Sequence, residues 1–489
     1  MNDGGLNLAS VVEGLCGQRP SNLDQVVTNT VVDSRLVRPG GLFVALHGER
    51  TDGHHYLLDA LSRGAVAAIV DRDVGEVPIA LDLTEDLITL PQCWPLPVVV
   101  KVPSSLQALQ QIAAFWRRRH NVRVIGITGS LGKTTTKELT AAVLARRFCT
   151  LRSEGNYNNE IGLPLTLLHL SKQHECVVLE MGMYDVGEIA ELAQIALPQV
   201  GVVTMVGPIH LERVKTMEGI VRAKSELVEA LPEAPEGVAI LNYDDERVRG
   251  MARVTRARVF YYGLSPEADL WADDIEGLGL QGIRFQLHYR LAAGRGDKGD
   301  STETLHVRIP LLGRHSVHTA LRAAAVGLVE GLNWQEIVEG LRSPSPQLRL
   351  FSVPGPGGSI ILDDTYNASP ASMLAALNLL EDLDGRRIAV LGDMLELGVQ
   401  EREAHEKVGM RALEVADVII TVGPRARIIG ETVLRWGRAG IELHMLEDNA
   451  QAIELLRKMV RKDDMILVKG SRGMQMEEIV NVLSASEKI

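Results

Sequence analysis

The chain has 489 residues, of which 46% are apolar and 23% are charged. At roughly 150 residues per domain, this length favours about three domains, and the composition excludes a disordered chain, a collagen-like repeat and a disulfide-dense miniprotein. The 51 basic and 63 acidic residues give a formal net charge of −12. Because an acidic protein is a poor general partner for nucleic acid or anionic membranes, any phosphate ligand must be bound by a local site.

Cysteine spacing and hydropathy indicate the compartment. The four cysteines lie far apart in the sequence and form no metal-binding or redox motif, which predicts free thiols in a reducing environment. No apolar run reaches the ~18 residues of a membrane span, and the first residues lack the features of a secretory signal. We therefore expect a cytoplasmic monomer that neither binds nucleic acid nor inserts into membranes.

The first hundred residues carry short, mixed elements. Residues 41–46 and 65–71 are predicted strands, and residues 56–63 form a predicted helix between them. Pro103, followed by a helical pattern, marks a domain boundary. Residues 1–103 are therefore predicted to form a small mixed α/β domain.

In the middle of the chain, apolar runs alternate with amphipathic helical patterns. The predicted strands are 122–128, 176–180, 200–206 and 237–241, and the predicted helices include 135–147 and 217–231. Continuous Val and Ile in these strands favour a parallel sheet covered on both faces. Alternating residues in 282–291 and 305–311 predict an antiparallel hairpin around an exposed loop, 292–304. A Ser-Pro-Ser-Pro linker from residue 343 would close a central domain of residues 104–343.

A second series of strands and helices follows the linker. The predicted strands are 359–363, 387–391, 417–422, 441–445 and 465–469, separated by helices such as 371–383 and 451–460. This alternation predicts a Rossmann-like C-terminal domain over residues 344–489. The predicted fold class is therefore α/β, with three domains. They are a small mixed α/β N-terminal domain, a central P-loop parallel-sheet ATPase domain with an antiparallel hairpin, and the Rossmann-like C-terminal domain.

A strand, a loop with two glycines and a helix follow one another around Lys133. Gly129 and Gly132 would let backbone N–H groups surround phosphate oxygens at a helix N-terminus. Lys133 would reach the β- and γ-phosphates, and Thr134 would bind Mg²⁺. The strict GxxxxGK[ST] pattern would require glycine at Ile127, and a turn with a surface lysine is the alternative interpretation. The strand–loop–helix context favours a nucleotide site.

Three ionisable residues follow or face the predicted central sheet. Glu180 ends a buried strand and His210 follows the next, where α/β sheets place their ligands; a solvated acid and a structural histidine are the alternatives. Lys224 falls within the apolar stripe of its helix, four residues after Ile220 and four before Val228. Burying a lysine costs free energy unless the ammonium is paired or takes part in chemistry, so this position indicates a functional Lys224. The alternative interpretation is that only the aliphatic part of the side chain is buried and the ammonium reaches solvent.

Five ordered motifs together resemble the Mur ligase family of ATP-dependent amide-forming enzymes. They are Asp33–Arg35, Asn158–Gly162, Asp363–Asn367, Leu391–Met394 and Lys469–Arg472. The resemblance covers nearly the whole chain. It implies that the first domain holds the UDP end of a sugar-nucleotide peptide, that the second binds ATP, and that the third closes over ATP with the incoming amine.

The resemblance implies a specific reaction. ATP would phosphorylate the C-terminal carboxylate of UDP-N-acetylmuramoyl-tripeptide, and D-alanyl-D-alanine would displace the phosphate, as a step of peptidoglycan precursor synthesis. An Asp-Asn-Pro-Arg motif, expected of the ligase that adds the preceding residue, is absent from the sequence. A Mur-type ligase adding that third residue, a folate-polyglutamate-type ligase and a nucleotide-binding scaffold without catalysis are the alternatives.

The resemblance also assigns roles residue by residue. The catalytic group would be Lys133, Glu180, His210 and Lys224. Mg²⁺ would be bound by Thr134, Glu180, His210 and Lys224, the lysine being carbamylated and so anionic. ATP would be bound by Gly129, Ser130, Gly132, Lys133, Thr134, Thr135, Asn159, His315, Arg349, Asp364, Tyr366 and Asn367. Substrate contacts would come from Ser34, Arg35, Lys469, Ser471 and Arg472. Ser316 and Thr319 depart from the family, which often has asparagines there beside adenine.

Overall fold

The strands of the chain form three separate sheets. The computed structural model describes residues 5–48, 51–75, 77–85, 88–208, 214–291, 301–343, 351–437 and 440–485. Within these ranges the sheets contain five, nine and six strands in chain order. The predicted α/β fold class with three domains is confirmed.

The N-terminal sheet is parallel throughout, in the order β1-β2-β3-β5-β4. Its strands are β1 (Thr30–Val31), β2 (Leu42–Val44), β3 (Ala67–Val70), β4 (Leu81–Asp82) and β5 (Val98–Lys101), with helices Leu8–Cys16 and Leu57–Ser62. The first helix packs on helix Ser105–Arg118, and the Phe115 ring approaches Gly14 so closely that a Cβ there would lie 3.1 Å from it. The N-terminal sheet and the start of the central unit therefore share one hydrophobic core.

The central sheet has the order β14-β13-β12-β11-β10-β9-β6-β8-β7. Its strands are β6 (Arg123–Thr128), β7 (Thr150–Arg152), β8 (Cys176–Glu180), β9 (Val200–Val203), β10 (Val238–Asn242), β11 (Arg258–Gly263), β12 (Leu270–Gly277), β13 (Ile283–Arg290) and β14 (Thr302–Ile309). The strands from β12 to β7 are parallel, whereas β13 is antiparallel to both of its neighbours. The predicted hairpin is thus present, but it extends the main sheet. Strand β14 begins inside the segment predicted as loop, and residues 292–300 lie outside the described residues.

Helices cover both faces of the central sheet. They are Ser105–Arg118, Lys133–Leu144, Gly162–Leu167, Glu188–Ala196, Met217–Glu229, Glu246–Gly250, Ser316–Val329 and Trp334–Arg342. The buried Val and Ile side chains of the strands alternate between two apolar clusters, as in Val177 and Val178 of β8. This two-sided burial explains why the central strands read as continuous apolar runs.

The C-terminal sheet has the order β15-β16-β20-β17-β18-β19, and only β15 is antiparallel to its neighbour. Its strands are β15 (Phe351–Pro354), β16 (Ile360–Asp363), β17 (Arg387–Gly392), β18 (Val418–Val422), β19 (Glu442–Leu446) and β20 (Met465–Lys469). Its helices are Pro370–Glu381, Glu401–Val415, Arg427–Trp436, Asn449–Met459 and Glu477–Ala485. Most of the predicted linker, from residue 344, lies outside the described residues.

Two strand edges carry the polar side chains singled out in the sequence. Strands β6, β8 and β9 are parallel neighbours, so the loop after β6 begins beside Glu180, the last residue of β8. In the C-terminal sheet, Asp363 and Lys469 end the adjacent strands β16 and β20. Carboxyl ends of parallel strands are where α/β sheets bind ligands. In the part of the chain described, no helix has the length and apolar character needed to cross a membrane.

Candidate functional site

The loop between β6 and helix Lys133–Leu144 has a backbone that requires glycine. Gly129 and Gly132 have φ angles of +145° and +76°. A Cβ on Gly129 would lie 1.8 Å from the Thr204 hydroxyl oxygen, so the loop passes close against the segment after β9. Ile127 lies within β6 and precedes the loop. Its departure from the strict pattern therefore leaves the turn itself intact.

Lys133 begins the helix and folds back over the loop. Its Nζ donates to the Gly129 carbonyl at 2.9 Å. Desolvation lowers the pKa of Lys133, and the negative charge of Glu180 opposes that shift. Ser130 is buried, and its hydroxyl donates to the Gly207 carbonyl at 3.0 Å, tying the loop to the chain beyond β9. Thr135, in the first turn of the helix, is half-buried.

Glu180 is a buried carboxylate beside the start of the helix. Its side chain is only 2% exposed. One oxygen, Oε2, accepts from the Thr134 hydroxyl at 2.8 Å, and Oε1 accepts from Asn158 Nδ2 at 2.9 Å. Both donors are neutral, and no ion pair of Glu180 occurs in the described part of the chain. Oxygen ligands of this kind suit a hard divalent cation such as Mg²⁺.

The asparagine-rich loop contributes Asn158, which belongs to the motif Asn158–Gly162 but was assigned no role of its own from the sequence. Asn159, assigned to ATP, has its Oδ1 bound to the Gly162 backbone N–H at 2.9 Å, where it holds the start of helix Gly162–Leu167. Asn158, one residue earlier, contacts Glu180. The sequence does not show which of two adjacent asparagines contacts the Glu180 carboxylate and which one caps the following helix.

Lys224 is buried within helix Met217–Glu229, which begins after the capping residue Thr216. The lysine is 1% exposed, and its place in the apolar stripe explains this burial. Desolvation lowers the pKa of Lys224 well below its usual value, and the positive charge of Lys133 adds to the shift. Its ammonium forms no hydrogen bond or ion pair with any described residue. His210 lies outside the described residues.

Lys469, which is buried, forms an ion pair with the partly exposed Asp364 in the C-terminal unit. The lysine is 2% exposed, and its Nζ lies 2.8 Å from Asp364 Oδ2. It also donates to the Asn367 carbonyl at 2.8 Å, which fixes the loop that follows β16. Desolvation raises the pKa of Asp364, although the Lys469 charge acts against it.

Tyr366 lies in the C-terminal unit, on the loop that follows β16. Its ring is about half exposed, and the Arg472 guanidinium carbon lies 5.2 Å from the ring centroid. Desolvation raises the pKa of Tyr366, and the negative charge of Glu180 contributes in the same direction. Glu180 and Tyr366 are therefore within electrostatic range of each other across the space between the two units.

His315 lies at the start of helix Ser316–Val329, beside a cavity of about 550 Å³ whose opposite wall is helix Pro370–Glu381. Desolvation lowers the pKa of His315 to about 4, and the positive charges of Arg322 and Lys469 contribute to the shift. The imidazole is therefore neutral at physiological pH. Lys469 belongs to the C-terminal unit, so His315 marks a second place where the two units meet.

The remaining predicted residues have structural partners of their own. Ser471 is buried, and its hydroxyl accepts from the Leu395 backbone N–H at 2.9 Å. Ser34, in the N-terminal unit, donates to Asp59 Oδ2 at 2.7 Å. Arg35 is exposed and pairs with Asp33 of its own loop at 2.7 Å. Arg349 lies outside the described residues.

Family models match all three units in order. Residues 26–117 match the Mur ligase family catalytic domain, residues 127–327 match the Mur ligase middle domain, and residues 349–472 match the Mur ligase glutamate ligase domain. A Bacillus subtilis protein named UDP-N-acetylmuramoyl-tripeptide–D-alanyl-D-alanine ligase is 34% identical over 98% of this chain and 98% of its own. This chain belongs to the Mur ligase family. A Synechocystis protein of the same name is 35% identical over 94% of this chain and 92% of its own.

Solved structures of Mur ligases have the same architecture. MurF from Acinetobacter baumannii is 30% identical and superposes with a TM-score of 0.80 over 97% of this chain and 98% of its own. MurF from Thermotoga maritima, solved in complex with ADP, is 28% identical, with a TM-score of 0.73 over 94% and 98% of the two chains. The three units therefore correspond to a complete Mur ligase fold.

Proposed function

We propose that this chain is the Mur ligase that joins D-alanyl-D-alanine to the C-terminal carboxylate of UDP-N-acetylmuramoyl-tripeptide, forming ADP and phosphate in peptidoglycan precursor synthesis. The observation that carries the proposal is the glycine loop that Lys133 closes, with the buried Glu180 hydrogen-bonded to Thr134 in the first turn of its helix. Lys224 and, from the C-terminal unit, Tyr366 are within electrostatic range of this cluster. The full-length similarity to ligases of that name supports the choice of substrates. The enzyme acts as a cytoplasmic monomer.

The proposed domains are an N-terminal domain of residues 1–103, a central domain of residues 104–343 and a C-terminal domain of residues 344–489. ATP is held between the central and C-terminal domains. The phosphates are held by Gly129, Ser130, Gly132, Lys133, Thr134 and Thr135, and the remaining ATP contacts come from Asn159, His315, Arg349, Asp364, Tyr366 and Asn367. Ser34 and Arg35 contact the uridine end of the substrate, and Lys469, Ser471 and Arg472 orient its peptide and the dipeptide. Helix N-terminal amides and cations suit both anionic substrates.

The residues around Glu180 fit Mg²⁺. The buried Glu180 oxygens and the Thr134 hydroxyl are hard oxygen donors, and His210 together with Lys224 as a carbamate completes the set. When bound there, Mg²⁺ neutralises charge on the phosphoryl group being transferred. Thr134 and Asn158 orient the carboxylate through its two oxygens.

The surroundings of Lys224 favour its carbamylation. Only the neutral amine reacts with CO₂: its nitrogen lone pair forms the new C–N bond, one proton leaves, and a carbamate anion remains. Desolvation lowers the pKa of Lys224 well below its usual value, which raises the fraction of neutral, reactive amine. The modification would place an anion within electrostatic range of the Lys133 ammonium, so the two groups would attract each other.

The chemistry then proceeds in two displacements. An oxygen of the tripeptide carboxylate attacks the γ-phosphorus, the bond to the β–γ bridging oxygen breaks, and an acyl phosphate and ADP form. The dipeptide amine attacks the acyl carbon, loses a proton, and expels phosphate from a tetrahedral intermediate to leave the amide. Lys133 stabilises charge on the phosphoryl oxygens. Because an acyl phosphate hydrolyses readily, the C-terminal domain must exclude water when it closes.

The decisive experiment supplies the purified chain with ATP, Mg²⁺, UDP-N-acetylmuramoyl-tripeptide and D-alanyl-D-alanine. We expect ADP release and a product whose mass equals the mass of UDP-N-acetylmuramoyl-tripeptide plus that of D-alanyl-D-alanine, minus one water. Parallel reactions replace the dipeptide with single amino acids and the acceptor with UDP-N-acetylmuramoyl-dipeptide or a folate. ADP release only in one of those reactions would identify a different ligase, and ATP binding without turnover in any of them would support a scaffold protein.

A further inference from the structure

Arg322 is a buried cation within the central unit. It lies on helix Ser316–Val329 and is only 5% exposed. Its Nη2 donates to the Thr319 hydroxyl at 2.8 Å, and Nη1 donates to the Tyr262 hydroxyl at 3.4 Å. Its Nε is buried and has no hydrogen-bond partner. Among the described residues, no carboxylate forms an ion pair with this guanidinium.

The guanidinium lies directly against the glycine loop. A Cβ on Gly132, the residue immediately before Lys133, would lie 3.1 Å from Arg322 Nη2. Two helical turns separate Arg322 from His315, which lies where the central and C-terminal units meet. The helix thus brings a permanent positive charge next to the loop on which the proposed nucleotide site is built.

A second buried arginine shows how this protein compensates a guanidinium that is only structural. Arg117 is also 5% exposed and also has no carboxylate partner among the described residues. Its nitrogens donate to three backbone carbonyls, those of Ala196 at 2.8 Å, His120 at 2.9 Å and Val122 at 3.2 Å. Every branch of Arg117 therefore has an acceptor, whereas Arg322 has two hydroxyls, the face of the Tyr262 ring 5.8 Å from its guanidinium carbon, and an orphaned Nε.

Acidic groups in the neighbourhood have other partners. Asp244 and Asp245 both act electrostatically on the Tyr262 hydroxyl. However, Asp244 Oδ2 lies 3.0 Å from His318 Nε2, and Asp245 Oδ2 accepts from the Val206 backbone N–H at 2.8 Å. Neither acid therefore forms an ion pair with Arg322 in the described part of the chain. An unpaired buried charge is expensive.

We propose that Arg322 is a further nucleotide-recognition residue, for which the phosphate chain of bound ATP supplies the missing counter-charge. The inference rests on the proposed use of ATP and adds a second cation, beside Gly132, to the loop that precedes Lys133. A guanidinium also offers several donors in fixed geometry, which suits phosphate oxygens better than an ammonium does.

The test compares Arg322→Met and Arg322→Lys with Arg117→Met in the full-length chain. We expect Arg322→Met to weaken MgATP binding, measured by calorimetry, by about 10- to 100-fold, because one charge-assisted contact is lost. Arg322→Lys should recover part of the loss, and Arg117→Met should bind MgATP as the wild type does. In turnover assays the KM for ATP should rise in Arg322→Met, while the KM values for the two peptide substrates stay unchanged.

The melting temperatures of the nucleotide-free proteins provide a second measurement. Arg117→Met should melt below the wild type because three carbonyls lose their donor, whereas Arg322→Met should lose less, because it removes a buried charge that has no carboxylate partner among the described residues. Wild-type affinity for MgATP in Arg322→Met would overturn the inference, even if the enzyme made the expected amide. Tight ATP binding without amide formation would overturn only the proposed reaction, and a wild type that binds no ATP would overturn both.

Discussion

Two clusters of ionisable side chains differ in how their charges are compensated. In the N-terminal unit, the buried His54 lies between two acids: its Nδ1 is 2.6 Å from Asp52 Oδ1, and its Nε2 accepts from the Asp71 backbone N–H at 3.2 Å. Asp52 also forms ion pairs with Arg72 and, at 3.3 Å, with His47. His47, His54 and Asp71 are close enough to suggest a metal site, but the His54 nitrogens are already occupied by the chain.

The central cluster has the opposite arrangement. Lys133 donates to a backbone carbonyl, Lys224 has no polar partner among the described residues, and Arg322 has an orphaned nitrogen. Glu180, the buried acid of this cluster, is bonded to neutral donors. The N-terminal cluster stabilises the fold because its charges satisfy one another. In the described part of the chain, the ionisable groups of the central cluster have no ion-pair partner, as in a binding site and unlike a structural network.

The largest expected effect is at Lys133. Lys133→Met removes the ammonium from the glycine loop while keeping most of the side-chain volume, and turnover should fall at least about 100- to 1000-fold. ADP release is the measurement. Because Lys133 contributes only one contact to its own loop, the melting temperature should stay close to that of the wild type. Normal turnover in this variant would show that Lys133 is structural. The central cluster would then not differ in function from the N-terminal cluster.

A somewhat smaller effect, about 100-fold in turnover, is expected for Lys224→Ala, which deletes a proposed charge-stabilising ligand. If Lys224 acts as a carbamate, acetate or another short carboxylate should restore part of the activity, because the cavity left by the side chain admits a replacement anion. Labelling with ¹³CO₂ and carbonyl ¹³C NMR gives a readout independent of turnover. Full activity in Lys224→Ala, or no carbamate signal in the wild type, would contradict the modification.

The sequence predicted those parts of the molecule that depend on local periodicity. Strands β8 and β20 begin and end at the predicted residues, since each is a short apolar run between polar segments. The burial of Lys224 followed from its spacing relative to Ile220 and Val228 on one helical face. The helix after the glycine loop was predicted to begin at Thr135, but it begins at Lys133, because glycine caps it without a side-chain signal.

Features that depend on long-range packing were not predictable in the same way. The extension of the hairpin into the central sheet requires β12 to pair with β13 through a register shift between Asp273 and Glu276. The proximity of Arg322 to Gly132 joins distant parts of the chain, and nothing in the helical pattern around Arg322 indicates it. The choice between Asn158 and Asn159 depends on how one loop is folded. A single sequence gives no pairing information of this kind.

The smallest effect is expected in the N-terminal cluster, at Asp52, and it should appear in stability. Desolvation alone would raise the pKa of Asp52, but hydrogen bonds from the His54 backbone and side chain, with the Arg72 charge, lower it to about 2. Asp52→Asn keeps the side-chain shape and an acceptor for His54. At pH 7 it should reduce the free energy of unfolding by about 1–2 kcal/mol, measured by urea denaturation.

The pH dependence of this loss has a definite sign. Since the folded-state pKa of Asp52 lies below the ordinary value of 3.8, its contribution is fully present above about pH 4 and disappears as the pH falls toward about 2. Wild type and Asp52→Asn should therefore converge in stability at acid pH. Glu403→Gln, which breaks an exposed pair with Lys407, is the matched control and should leave the urea midpoint unchanged. An equal, pH-independent loss in both variants would show that the N-terminal charges do not stabilise the fold through mutual compensation.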